Sequence, residues 1–193
     1  MTEQPRIRPL LPEFSDNSHQ ELAESLGIPV RRDSTIPSIP LPSGKLLLSD
    51  LHETNCLSID GFAATEIAVI PQIWTLPDNT ALIGRLTLMN LPATGHFIPQ
   101  ERRRIKKLGR VNVTSGVLAV ADAEIWSSRK HSLPHASLTE LIQANPLIEL
   151  SWGADRALLL KPGYGVGAFA VVADFDMDRI DNISMFLLKG NSP

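Results

Sequence analysis

Four residues of catalytic type lie within one short stretch, Asp50, His52, Glu53 and Cys56. A thiol beside an imidazole could act as a nucleophile and its base. The cluster therefore offers a hydrolase or a ligand-binding enzyme. Against it, side chains four apart in a loop seldom meet in attacking geometry, and no oxyanion-hole motif accompanies them. A lone cysteine is more often a small buried apolar residue than a nucleophile.

Other stretches carry weaker chemistry. Asp174, Asp176 and Asp178 alternate along one segment in the manner of a calcium loop's first ligands. Arg179 stands where such a loop needs glycine, and no bidentate glutamate follows. The aspartates then read as a solvated hairpin tip, and no metal or cofactor is expected. His131 and His135 could offer two imidazoles to zinc, which wants three or four ligands. Gly163, Gly165 and Gly167 precede an apolar strand rather than a helix, so they suit a bend better than a phosphate cradle. The run from Glu101 to Lys107 holds five basic residues, Arg102, Arg103, Arg104, Lys106 and Lys107. It could meet an acidic partner, or it could be a solvated linker. No aromatic residue interleaves with it, so it lacks a stacking platform for single-stranded nucleic acid.

The elements that must position these residues are mostly strands. Lys45–Ser49, Thr65–Trp74, Ala81–Met89, Arg110–Val113, Val117–Ala121, Ala157–Leu160, Gly167–Ala173 and Asn182–Leu188 are rich in Val, Ile, Leu, Phe and Thr, and turn residues separate them. Two short helices are expected. Ser18 to Gly27 has a capping box and a glycine stop, and a second box, Ser137 to Glu140, opens a helix that Pro146 closes. This pattern predicts a mainly β, β-rich α+β fold, with antiparallel sheets in a sandwich or barrel. Residues 1–35 read as an N-terminal segment with a short helix, and residues 36–193 as a single β-rich domain.

Two stretches nearly rhyme. Ser43-Gly44 leads through an alternating apolar run to Asp50, and Ser115-Gly116 leads likewise to Asp122. Two related halves, roughly 36–92 and 109–189, would account for the echo, with the second helix as an insertion and the basic run at the join. Alternation places Leu46, Leu48, Leu118 and Val120 in the core and turns Lys45 and Ser49 outward. Each aspartate should cap the turn that follows it, so that asparagine would substitute at small cost.

The two Ser-Gly entries with their aspartates, and the glycine-rich C-terminal hairpin Pro162–Leu188, resemble an uncharacterised bacterial β-rich family catalogued as a domain of unknown function. The likeness spans Pro40 to Leu188. Where that family has a more acidic glycine turn, this chain has Tyr164-Gly165-Val166-Gly167. The resemblance implies bacterial origin and brings no catalytic residues.

At 193 residues, 43% hydrophobic and 20% charged, the chain can bury a substantial core. No apolar run approaches the roughly 20 residues needed to cross a bilayer. The first ten residues lack the apolar core of a secretory signal, and one cysteine allows no internal disulfide, so a cytoplasmic protein is expected. A net charge of −3 gives no general attraction to nucleic acid or to an anionic membrane. The expected function is a non-catalytic protein-interaction module, in its narrower form a bacterial inhibitor or immunity-type protein. Its expected partner is another protein rather than nucleic acid or membrane, and the enzyme built on Asp50, His52 and Glu53 is the alternative.

Overall fold

The computed structural model describes residues 4–10, 37–52, 56–62, 65–75, 81–90, 103–163, 165–176 and 178–187. The helix expected over Ser18 to Gly27 lies outside them, as do Glu53 and Arg102.

Among the described residues, short alternating segments pair into two six-stranded antiparallel sheets and close no barrel. The first is ordered β1 (Arg6–Pro9), β9 (Leu147–Trp152), β10 (Asp155–Leu160), β8 (Leu118–Asp122), β3 (Leu46–Asp50) and β4 (Cys56–Ile59). The second is ordered β2 (Ser38–Pro40), β5 (Glu66–Thr75), β6 (Ala81–Asn90), β12 (Arg179–Phe186), β11 (Gly167–Asp176) and β7 (Arg103–Val113). The second order is symmetric about the β6–β12 pair, since β6, β5 and β2 run outward on one side and β12, β11 and β7 on the other. In the first sheet β3 and β8 are neighbours, with β4 beyond β3 and with β10, β9 and β1 beyond β8. The N-terminal segment drawn at 1–35 contributes β1 to the sandwich.

The apolar residues of alternate strand positions form the main core between the sheets. Leu46, Leu48, Leu118 and Val120 from one sheet meet residues such as Val69, Leu88, Val171 and Ile183 from the other. All four of the expected core residues are fully buried. Lys45 is exposed, as alternation requires.

Ser49 is not. It is 2% exposed, because the first sheet is covered on both faces. Helices α1 (Ala123–Arg129) and α2 (His135–Ala144), joined by a 3-10 turn at Lys130–Ser132, lie on its outer side. There Leu47, Ala119, Ala121, Ile148 and Leu159 pack with Trp126, Leu138 and Ile142 in a second core. The expected alternation of apolar-in and polar-out holds for a sheet with one wet face, and this one has none. The second helix also starts before its expected serine cap, at His135, with Pro134 as its N-cap residue. No described helix is long and apolar enough to cross a membrane.

Candidate functional site

The rhyming stretches meet. Strands β3 and β8 pair antiparallel, with Leu46 opposite Asp122, Leu48 opposite Val120 and Asp50 opposite Leu118. Antiparallel pairing brings the end of each strand to the start of the other. Each aspartate therefore arrives at the other stretch's Ser-Gly turn.

The hydrogen bonds are reciprocal. Oδ2 of Asp122 accepts from the Ser43 amide at 2.9 Å and the Ser43 hydroxyl at 2.7 Å. Oδ2 of Asp50 accepts from the Ser115 amide and hydroxyl, both at 2.8 Å, and from the Thr114 amide at 2.7 Å. The second oxygen of each carboxylate faces its own chain. Oδ1 of Asp50 accepts from the His52 amide at 2.8 Å. Oδ1 of Asp122 accepts from the Glu124 and Ile125 amides, which makes Asp122 the N-cap of α1. The backbone repeats the exchange, with the Leu51 amide donating to Val117 and the Ala123 amide to Lys45. Gly44 and Gly116 hold φ of +71° and +77°, the left-handed region in which a Cβ is strained.

Both aspartates are completely buried. Burial by itself would raise the carboxyl of Asp50, but the donated bonds from Ser115, His52 and Thr114 outweigh it and hold the pKa below its ordinary value. Thus each aspartate clasps the opposite turn as well as the segment that follows it, and the expectation of purely local capping is corrected. Sequence spacing cannot show this, because Asp50 and Ser115 are 65 residues apart.

The sequence cluster around Asp50 is distributed differently from a catalytic group. Asp50 and His52 meet through the His52 backbone amide. The His52 ring lies instead against His135, with centroids 5.1 Å apart and planes at 43°. Desolvation, and then the charges of His52 and His131, lower the pKa of His135 below its ordinary value. Cys56 opens β4 opposite Ser49, with its thiol free and exposed. Glu53 lies outside the described residues.

The acidic segment continues β11 rather than forming a loop, so the solvated tip begins later than expected. Asp174 is 8% exposed and accepts from the Asn182 side chain at 3.1 Å. Asp176 is half-buried at the strand's end, and Asp178 is exposed in the turn beyond it. Among the described residues no three His, Cys, Asp or Glu side chains could jointly hold a metal ion. The glycine hairpin is a bend, in which the Gly165 amide donates to Pro162 and the Gly163 amide to Ile83. A surface hollow of about 280 Å³ is lined by Gln4, Arg6, Ser151 and Gly153, and it contains none of the residues singled out by their chemistry.

The chain matches no protein-family model, no curated protein and no solved structure.

The described part of the basic run, Arg103 to Lys107, lies elsewhere, on β7 at the edge of the second sheet. That part is strand, not linker, and β7 begins ahead of residue 109, where the second of the two expected halves starts. Arg104, Lys106 and Lys107 are exposed, and Ile105 is 68% exposed between them. Farther along, Val111 and Val113 turn into the core. The close approach of Leu57 at Gly109, 3.2 Å from where a Cβ would sit, marks where β4 covers the strand. A single β-branched isoleucine amid the cations is the one local signal of a strand that this run carries.

Proposed function

We propose that the protein is a non-catalytic interaction module that binds another protein through the exposed basic half of β7. The observation that supports the reading is the position of Arg104, Ile105, Lys106 and Lys107. Three cations and a large apolar residue stand in solvent on one edge strand. Elsewhere in the described residues, the carboxylates most suggestive of chemistry are engaged by turns. Cations around an apolar centre favour an acidic surface with an apolar point of contact. An inhibitor or immunity-type role, in which the chain neutralises a bacterial protein by covering it, is the narrower form of this proposal.

The test compares the full chain with a Lys106→Glu/Lys107→Glu variant. Both chains are used to capture proteins from a bacterial lysate over a range of salt, and to bind labelled DNA and RNA. The reading expects a protein captured by the wild type at low salt and lost from the variant, with the melting temperature unchanged. Capture that ignores the charge reversal would contradict it. Salt-sensitive nucleic-acid binding without a protein partner would contradict it as well.

A further inference from the structure

We propose that the edge of β7 that no described strand pairs receives an extended acidic segment of the partner, which adds to the second sheet as an outer strand. Its central apolar residue stands opposite Ile105, and carboxylates stand opposite Arg104, Lys106 and Lys107. This rests on the interaction reading above and specifies its partner.

The geometry of the edge carries the argument. In the strand order β7 is terminal, so one side of its backbone bonds β11 and the other pairs with no strand among the described residues. Such a row of amides and carbonyls is a template for another chain, and proteins commonly guard it with lysine. Guarding explains the cations but not an isoleucine 68% exposed at their centre.

Successive side chains of a strand point to opposite faces, and cross-strand partners share a face. Ile105 is paired with Asp174 and Lys107 with Val172, on the outer face of the sheet. Arg104 is paired with Phe175 and Lys106 with Ala173, whose side chains join the main core, so these two point to the inner side. The cations thus stand on both faces of one strand. A flat acidic surface would reach one face only. An extended segment lying along the edge presents its own side chains alternately to both, and its backbone meets the open amides. The matching segment has an apolar residue with acidic residues on either side, a pattern that reads alike in both directions.

The probe is a short fluorescent peptide with valine at its centre and two glutamates on each side, titrated into the full chain and followed by anisotropy. Two further peptides carry backbone N-methyl groups on alternate residues, one in each register. Strand addition predicts binding by the parent peptide and a loss of about tenfold or more confined to one methylated register. It also predicts weakening by Ile105→Ser and by Lys106→Glu, with unchanged melting temperature. If both methylated peptides bind like the parent, strand addition is overturned while charge-driven interaction stands. If the parent fails to bind but lysate capture still depends on Lys106 and Lys107, strand addition again falls alone. If neither depends on these lysines, both readings fall together.

Discussion

Two regions of this molecule put charged side chains to different uses, the crossing of β3 with β8 and the exposed half of β7. At the crossing, Asp50 and Asp122 are completely buried, and each carboxylate accepts four hydrogen bonds from described residues. On β7, Arg104, Lys106 and Lys107 remain in solvent on both faces of an edge strand. Satisfying a buried carboxylate requires several convergent donors, and the two turns supply them. Exposed cations need no such partners and stay available to another molecule. The difference separates residues that hold the fold from residues that can act outward, although both groups look equally chemical in the sequence.

The largest effects should come from the apolar floor of the crossing. Leu46 and Leu118 occupy corresponding places 72 residues apart, and both are fully buried. Leu46→Ala and Leu118→Ala should each cost about 2–5 kcal/mol in urea unfolding, a large part of a typical domain's stability. A large loss at one position and almost none at the other would break the correspondence between the two stretches.

Next come the clasps themselves. Both oxygens of each aspartate receive N–H or O–H donors, so an amide's own NH2 group must face a donor. Asp50→Asn and Asp122→Asn should therefore cost about 2–3 kcal/mol each, measured by the same unfolding curves. The sequence alone suggested a mild change, on the assumption of one turn bond per aspartate. A loss within the range of ordinary surface substitutions would restore that simpler picture.

The alternating residues Leu46, Leu48, Leu118 and Val120 disclosed their strands and their inward face without help from the structure. The exchange between turns stayed hidden because it joins segments far apart in the chain. Ser49 was misplaced for a similar reason, since only the second core under α1 and α2 buries it. Asp122 looked like a turn residue, and the seven-residue α1 that it caps carries too short an apolar pattern to declare itself. At β7 the charged run concealed a strand, because residues exposed on both faces show no alternation of polarity. The histidine pair likewise needed the fold, as β3's end and α2's start approach only in space.

Acid should distinguish the two regions more gently. The pKa of Asp50 is lower in the folded chain than in the unfolded one, where it is about 3.9. Its stabilisation is then fully present above that unfolded value and is lost as pH falls through the folded one. Wild-type stability should decline below about pH 4, and in Asp50→Asn the part of that decline owed to this group should vanish. An unchanged acid slope in the variant would mean that the clasp does not favour the charged carboxylate.

The smallest effect on stability belongs to the edge. Lys106→Glu/Lys107→Glu should change unfolding free energy by less than about 0.5 kcal/mol, as for other exposed substitutions. A markedly lowered melting temperature would show that these lysines hold the fold, and the contrast between the regions would be lost.

The reciprocal clasp is tested most directly by a pair of double-mutant cycles on folding stability. One combines Asp50→Ala with Ser115→Ala, and the other combines Asp50→Ala with Ser43→Ala, the serine of Asp50's own stretch. Residues that share a hydrogen bond couple by about 0.5–3 kcal/mol, whereas independent sites add. The account predicts coupling of that size between Asp50 and Ser115 and near-additivity between Asp50 and Ser43. Coupling to Ser43 with additivity at Ser115 would contradict it.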